Sequence, residues 1–167
     1  GGNTNVNLRQ KLLAKENIKC DCIRCRQVKN NTENIDKAEL VIREYNSINS
    51  IEFFISFESV DKSILYGFVR LRINLVNDEL IYDELKNCSF IRELHVYGDI
   101  INHNDKLNKS TQHIGFGKKL LQVAEDISIS NKVYKIAVIS GVGVREYYKK
   151  QGYYLYKNYM FKNLYTY

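Results

Sequence analysis

The 167-residue sequence has no long apolar run, no proline and only four cysteines. A membrane-spanning helix needs about 20 predominantly apolar residues, so we expect none, and the N-terminus lacks the pattern of a signal peptide. Four cysteines in a compact chain without such a signal argue against a disulfide framework and for a reducing compartment. We therefore expect a cytoplasmic or nuclear protein. The absence of proline indicates a biased coding sequence and carries no functional information.

Charge is distributed unevenly along a chain of single-domain length with enough apolar residues for a core. Residues 1–30 contain seven Lys or Arg against two Asp or Glu, a balance of +5. Residues 31–105 contain seven against fourteen (−7) and residues 106–167 eleven against three (+8), which together give the total of +6. The basic ends would suit a polyanion such as RNA or the phosphates of a nucleotide cofactor. A solvated basic face is the other interpretation of the same charges.

The most informative motif is the segment QHIGFGKKLL at residues 112–121, a Q-x-x-G-x-G pattern that leads into an amphipathic helix. Glycines let a backbone approach a ligand closely, and the free N–H groups of a helix N-terminus favour an anion. Lys118 and Lys119 add positive charge at the same place. We expect this glycine loop to bind phosphate groups, although a simple turn before an ordinary helix would give the same pattern.

The segments around this motif predict a β-α-β unit. Residues 90–97 and 135–140 are strand-like, and they flank a helix predicted over residues 115–130. The acidic residue that a dinucleotide-binding fold carries about 20 residues after its glycines is not supported here, and the G-x-x-x-x-G-K-[ST] phosphate loop is absent.

The remaining elements complete an α/β pattern. The sequence predicts strands at 38–45, 51–58 and 64–73, with a turn at 46–50. Helices are expected at 7–17 and 144–151, with Gly152 as the C-cap, and residues 153–156 and 159–164 should form a β-pair. Residues 98–111 should form a polar loop, and no internal repeat or low-complexity linker is found. In the third strand, strict alternation would put Tyr66, Phe68, Arg70 and Arg72 on one face.

The Q-x-x-G-x-G loop resembles the acetyl-CoA pyrophosphate loop of the GNAT superfamily of N-acetyltransferases. With RELHVYG (92–98), KIAVISGVGVREYYKKQGY (135–153), LYGFVRLR (65–72) and CDCIRCR (20–26), the chain resembles the catalytic subunit of Elongator from about residue 20 to residue 160. That family joins a radical S-adenosylmethionine domain to a C-terminal acetyltransferase domain and modifies the wobble uridine of tRNA. The resemblance covers only the second domain (residues 32–167) and the linker before it (residues 1–31).

The resemblance implies the GNAT fold, a mixed and mostly antiparallel sheet that splays between its fourth and fifth strands around acetyl-CoA, with flanking helices. The usual helix pair after the first strand is missing, because only a turn joins the first two strands. Residues expected to contact acetyl-CoA are Glu93, Leu94, His95, Val96, Gln112, Gly115, Phe116, Gly117, Lys118, Lys119, Tyr147 and Tyr148. Backbone amides at residues 94–96 would polarise the thioester carbonyl, and Tyr148 would donate a proton to the departing thiolate. Glu93 and His95, at i, i+2 spacing on one strand face, are the candidate proton acceptors.

Cys20, Cys22 and Cys25 form the second candidate site, because thiolates at this spacing on a turn can converge on zinc. Structural zinc takes four ligands, so Cys88, His103, His95 or water would have to complete the set. The resemblance supports a metal at the first three cysteines. The other interpretation is three reduced thiols in a linker. The iron–sulfur cysteine motif of the radical domain is absent, so we expect neither a cluster nor S-adenosylmethionine here.

The expected partners are tRNA, contacted by Arg24, Arg26 and Lys29, the radical domain of the same polypeptide and other Elongator subunits, with no membrane. Transfer of acetyl to the uridine and tRNA-stimulated hydrolysis of acetyl-CoA are implied by the resemblance alone. A protein lysine acetyltransferase acting on histone or tubulin tails would use the same acetyl-CoA site, and a non-catalytic scaffold is the third alternative. An acidic acceptor groove would indicate the tail enzyme, and a basic groove the RNA enzyme.

Overall fold

Turn chemistry and strand alternation build a seven-stranded sheet. The computed structural model describes residues 7–16, 19–28, 35–76, 82–97 and 113–164. Its strands are β1 (Glu39–Ser47), β2 (Ser50–Glu58), β3 (Leu65–Asn74), β4 (Ser89–Val96), β5 (Lys135–Ile139), β6 (Tyr154–Tyr156) and β7 (Tyr159–Asn163). Its α-helices are α1 (Leu8–Glu16), α2 (Ile23–Arg26), α3 (His113–Ser130) and α4 (Arg145–Lys150), and short 3₁₀ turns occupy Ile35–Lys37, Asp83–Leu85 and Val142–Val144. None of these helices is long and apolar enough to cross a membrane.

The strand order is β1-β2-β3-β4-β5-β7-β6, and all neighbours pair antiparallel except β4 and β5. The predicted strands and helices are confirmed, with ends shifted by one or two residues. Asn49, with a positive φ of 52°, closes the β1–β2 turn. The C-cap of α4 is Gln151, one residue before the predicted cap position, and Gly152, with a φ of 87°, follows it. Helix α2 lies inside the predicted linker, at a place where no helix was predicted. The predicted loop at 98–111 falls outside the described residues.

The main core lies between α3 and one face of the sheet. Leu120, Leu121 and Ala124 of α3 pack on the sheet, and their neighbours in this core include Ile55, Tyr66, Val69, Leu71, Ile91, Ile136 and Tyr148. Tyr66 is on this face because the β2–β3 register shifts at Phe57 and Glu58. The alternation that grouped Tyr66 with Phe68 was therefore wrong, since a β-bulge reverses the facing of the residues beyond it.

The opposite face of β1–β4 carries a buried carboxylate network. Glu58 is fully buried and accepts hydrogen bonds from both terminal nitrogens of Arg43 at 2.6 and 2.9 Å, from Arg26 Nη1 at 2.9 Å and from Ser56 Oγ at 2.7 Å. Burial alone would raise the pKa of the Glu58 carboxyl, but these hydrogen bonds outweigh it and lower the pKa to about 2. Because Arg26 ends α2, Glu58 fastens the cysteine segment to the sheet.

Replacing Glu58 with alanine should lower the free energy of unfolding by about 3–5 kcal/mol, because two arginines lose a buried partner. The ordinary carboxyl pKa of 4.5 lies above the folded value of about 2, so this stabilisation is complete above pH 4.5 and is lost as the pH falls towards 2. Urea denaturation between pH 7 and pH 3 measures both effects. Glu39→Ala, which removes the exposed glutamate opposite Glu58, is the control and should change stability by less than about 0.5 kcal/mol.

Candidate functional site

The fourth and fifth strands separate soon after they meet. Their parallel pairing comprises Ser89 with Ile136, Phe90 with Ala137 and Ile91 with Val138, whereas β4 runs on to Val96. On the other side of β4, Arg70 faces Glu93 and Leu71 faces Ile91, so Arg92 is an extra, bulged residue. A bulge bends a strand and increases its twist, which directs the end of β4 away from β5. The expected splay is therefore present, and β4 from Arg92 to Val96 has no partner on β5.

The two glycines of the motif lie inside the first turns of α3, because the helix begins at His113. The prediction of a glycine loop before the helix was therefore wrong in its boundary. Among the described residues, nothing lies within 4 Å of a Cβ placed on Gly115, but a Cβ on Gly117 would lie 2.7 Å from Tyr147 Oη and 3.7 Å from Val96 Cγ2. Gly115 thus leaves open space at the helix start, and Gly117 lets α3 approach Tyr147 and the end of β4.

The other residues of the motif divide between surface and core. Lys118 and Lys119 are exposed on α3. Phe116 is buried, and its ring stacks on Phe57 with centroids 4.3 Å apart. Gln112 lies outside the described residues. The side chain of Phe116 is therefore part of the core, and its backbone is what it can offer to a ligand.

Helix α4 brings two tyrosines against the start of α3. Tyr147 Oη is buried and has no hydrogen-bond partner among the described residues, and burial raises the pKa of Tyr147. Tyr148 is 5% exposed and packs edge-on against Tyr147 and Tyr153, with centroids 5.4 and 5.7 Å apart. Burial, and secondarily the nearby Tyr147, raises the pKa of Tyr148 to about 12. Both phenols are therefore protonated at neutral pH.

Glu93 and His95 are both exposed, on the sheet face opposite α3, whereas Leu94 and Val96 pack on the main core. The Glu93 carboxylate lies 3.8 Å from Arg70 Nη1. The His95 ring lies 4.3 Å from Tyr97 and 6.1 Å from Phe68. Both candidate proton acceptors are thus on the part of β4 that has no partner on β5.

Three arginines lie on the same sheet face as Glu93, and sequence reasoning assigned them no role. Arg72 and Arg92 share the buried Glu52 Oε1 at 3.2 and 3.0 Å, and their side chains are 32% and 41% exposed. Arg70 beside Glu93 is 33% exposed. We call Arg70, Arg72 and Arg92 the arginine face. The strand alternation of β3 and β4 was the available signal, but the acidic total of residues 31–105 obscured it.

The three cysteines at the end of the N-terminal segment converge. The sulfurs of Cys20, Cys22 and Cys25 lie within 4.8 Å of one another, and Arg9 Nη2 contacts them at 3.0, 2.8 and 3.2 Å. A backbone hydrogen bond with Cys25 is the largest cause that lowers the pKa of Cys22 to about 6. Desolvation, and secondarily hydrogen bonds with Cys20 and Cys22, raise the pKa of Cys25, so of these two thiols it is Cys22 that favours the thiolate form that binds metals.

Cys88 does not join this cluster. It is buried with Ala137 and Phe161, and its Sγ lies 3.5 and 3.6 Å from the carbonyl oxygens of Lys86 and Glu84. Of the two alternative ligands proposed from the sequence, His95 lies on β4 and is not among the converging residues, and His103 falls outside the described residues. Among the described residues, only three ligands are brought together.

The residues proposed to contact nucleic acid occupy different settings. Arg24 is exposed on α2. Arg26 is held by Glu58, the Asp21 carbonyl and the Lys62 carbonyl, so its first role is to fix the cysteine segment. Lys29 falls outside the described residues.

Comparison with known proteins gives one consistent group. No protein-family model matches the chain. The chain is 40% identical over 151 residues to the tRNA uridine(34) acetyltransferase of Methanocaldococcus jannaschii, which covers 86% of this chain and 28% of that protein. It is 40% identical over 169 residues to human Elongator complex protein 3, which covers 95% of this chain and 30% of that protein.

A solved structure agrees with these sequence matches. An N-terminally truncated Elp3 of Methanocaldococcus infernus matches with a TM-score of 0.76 and 36% identity, over 94% of this chain and 38% of that chain. The chain therefore spans about a third of the length of the proteins it matches.

The packing of Gly117 against Tyr147 predicts a specific coupling. Gly117→Ala should destabilise the protein by about 1–2 kcal/mol, because its Cβ overpacks against the Tyr147 hydroxyl. In a Tyr147→Phe background the same change should be neutral or stabilising by up to about 1 kcal/mol, since alanine favours helix over glycine. A double-mutant cycle in urea measures the coupling, and additive effects would contradict the close approach.

Proposed function

We propose that the chain is an acetyl-CoA-binding acetyltransferase domain. It is homologous to one region of the proteins named Elongator complex protein 3 and tRNA uridine(34) acetyltransferase. Residues 32–167 would form this domain and residues 1–31 the linker to the family's radical domain. The domain would supply the acetyl group for carboxymethyl-type modification of the wobble uridine of tRNA. The observation that carries the proposal is the end of β4, which pairs with β3 but has no partner on β5, beside the glycine-bearing start of α3.

The residues at this junction fit a nucleotide thioester. Gly115 has room beside it for a phosphate group among the described residues, and the N-terminus of the 18-residue helix α3 favours anions through the helix dipole. Gln112, Gly117, Lys118 and Lys119 would complete the phosphate site. The backbone of Leu94 and Val96 can pair with the pantetheine amides as an added strand does, because β4 has no partner from β5 there.

Acetyl-CoA, when bound, supplies an activated acyl group. In this proposal the Tyr148 hydroxyl donates a proton to the departing thiolate of coenzyme A, since a phenol with a pKa of about 12 is fully protonated at neutral pH. Glu93 or His95, on the exposed face of β4, accepts a proton from the nucleophile, directly or through water. Tyr147 Oη is buried without a partner among the described residues and is available to a bound ligand. Equal rates of acetyl transfer for the parent and Tyr148→Phe would reject the role of Tyr148.

The charge around β4 supports RNA as the acceptor over a lysine-bearing protein tail. Arg70 lies 3.8 Å from Glu93, and the partly exposed Arg72 and Arg92 lie on the same sheet face, whereas Glu52, which contacts both of them, is 2% exposed. A tail carrying lysines would meet cations at this face, and RNA phosphates would meet partners. Stimulation of acetyl-CoA hydrolysis by tRNA, and association with the radical domain and other Elongator subunits, belong to this proposal. A lysine acetyltransferase remains the alternative, and acetylation of a histone-tail peptide without RNA would favour it.

The cysteine cluster fits zinc in chemistry and arrangement. Three soft thiol ligands converge, and thiolates are preferred zinc ligands. Zinc held by Cys20, Cys22 and Cys25 would order a polar segment that is otherwise fastened by Arg26 and by the hydrogen bond from the Val28 N–H to the Leu65 carbonyl. It would also fix Arg24 for phosphate contact.

Gly115→Glu should weaken acetyl-CoA binding by tenfold or more, because a carboxylate would enter the proposed phosphate site; tenfold corresponds to about 1.4 kcal/mol. The fold should be unaffected, because the added side chain meets open space and a negative charge at a helix N-terminus is favourable. Calorimetry with acetyl-CoA measures the affinity. Gly115→Gln separates size from charge, and Gln122→Glu adds the same charge farther along α3 as a control. Unchanged affinity for Gly115→Glu would show that the phosphate groups bind elsewhere.

Protein purified without chelators should contain about one zinc per chain, and Cys22→Ser should remove most of it. Cys88→Ser is the matched control and should leave the zinc content unchanged, because Cys88 is not in the cluster. A chelator should increase proteolysis of the N-terminal segment before the sheet unfolds. Metal analysis of the parent that finds no zinc would reject the site and leave three reduced thiols.

A further inference from the structure

The C-terminal hairpin carries a connected set of aromatic rings on the sheet face opposite α3. Phe161 is the centre, with ring centroids 6.2 Å from Tyr154, 6.1 Å from Tyr156 and 6.2 Å from Tyr159. Tyr159 in turn contacts Tyr82 at 6.5 Å and Phe90 at 5.9 Å. We call these six residues the hairpin aromatic cluster. They come from three separate segments of the chain, so no local sequence pattern reveals them.

The cluster has a buried centre and an exposed rim. Phe161 is 0% exposed, whereas Tyr82, Tyr154 and Tyr156 are 54%, 45% and 51% exposed. Packing accounts for the buried ring, because Phe161 lies in a small core with Cys88 and Ala137. It does not account for three neighbouring large rings that each keep about half of their surface in water. A contiguous exposed patch of this kind commonly marks a binding surface.

Lysines accompany these rings. Lys135 Nζ lies 4.4 Å from the centroid of Phe161, and Lys157 Nζ lies 5.8 Å from that of Tyr156. Glu84 pairs with Lys157 at 3.1 Å, and the Lys157 side chain remains 53% exposed. Protein–protein interfaces are depleted in lysine at their cores, whereas surfaces that bind single-stranded nucleic acid combine aromatic platforms with cations.

The cluster is also continuous with the arginine face. Phe90 of β4 lies directly opposite Arg72 of β3, and side chains of directly opposed residues share a sheet face. A strand of RNA on the arginine face can therefore continue past Phe90 and Tyr159 to the hairpin rim.

We propose that the rim of the hairpin aromatic cluster, Tyr82, Tyr154 and Tyr156 with Lys135 and Lys157, binds a single-stranded stretch of RNA next to the acceptor site. The proposal rests on the function proposed above. Bases stack on the tyrosine rings and the lysines contact phosphates, which gives affinity with little sequence preference. Recognition of this type requires an unpaired strand, since bases in a duplex are not free to stack on side chains.

The test uses fluorescence anisotropy with a labelled single-stranded RNA of about ten nucleotides, at one fixed salt concentration because phosphate contacts are salt-dependent. Tyr154→Ala combined with Tyr156→Ala should weaken binding by tenfold or more, since alanine in place of a stacking ring typically costs about five- to 150-fold per base. Tyr154→Phe with Tyr156→Phe keeps the rings and should retain the parent affinity. Tyr134→Ala removes a tyrosine of similar exposure, 48%, that belongs to neither the hairpin aromatic cluster nor the arginine face, and it should have little effect.

Two further readings separate this inference from the proposed function. When the titration is repeated at several salt concentrations, Lys157→Gln should reduce the salt dependence of binding, whereas the double alanine variant should leave that dependence unchanged. Acetyl-CoA calorimetry on the same variants should match the parent and reports on the cofactor site alone. Parent-level RNA affinity in the double alanine variant would overturn the inference and leave the acetyltransferase assignment standing, with the hairpin then assigned to a protein partner. A parent that binds no RNA while binding acetyl-CoA would overturn it as well.

Discussion

Parallel pairing between β4 and β5 lasts for three residue pairs and then stops, while β4 continues for five more residues. In a sheet, backbone N–H and C=O groups that lose a neighbouring strand must find another partner. The bulge at Arg92 turns this end of β4 away from β5 and at the same time sets the facing of Glu93 and His95. The start of α3 and the tyrosines of α4 then surround the gap. The proposed cofactor site, proton acceptors and arginine face all follow from the point at which these two strands part.

Buried carboxylates organise the face of the sheet that lies away from α3. Glu52 and Glu58 are almost completely buried and each is held by two arginines, whose other atoms remain partly exposed. Taking a carboxylate out of water is unfavourable unless it is paired and hydrogen-bonded. Glu58 meets that need through both of its oxygens, whereas Glu52 meets it through Oε1 alone, and its buried Oε2 has no hydrogen-bond partner among the described residues. The result is that partly exposed arginines lie on this face although residues 31–105 are acidic in total. Net charge along the sequence is therefore a poor guide to the charge of the proposed acceptor face.

The two glycines of the motif illustrate how one pattern can combine two physical requirements. Gly115 has open space around it, as a residue beside a phosphate group needs, whereas Gly117 is required by the Tyr147 hydroxyl that packs against it. A substitution at Gly117 thus tests packing and ligand binding together, and only Gly115 separates them. The same distinction applies to Phe116, whose conspicuous position in the motif reflects its place in the core.

The sequence by itself determined the strands, the helices and their order, because alternation, helical periodicity and turn residues act over a few neighbours. It also identified the helix that we propose to bind phosphate and the three converging cysteines, which are close along the chain. Only the tertiary structure decided that Cys88 is far from those cysteines, that Tyr66 faces the main core across a bulge, and that Arg70, Arg72 and Arg92 gather around β4. It likewise assembled the hairpin aromatic cluster from three segments. These features depend on strand register and bulges between residues that are distant in sequence, where a shift of one residue reverses every side chain and no local pattern records it.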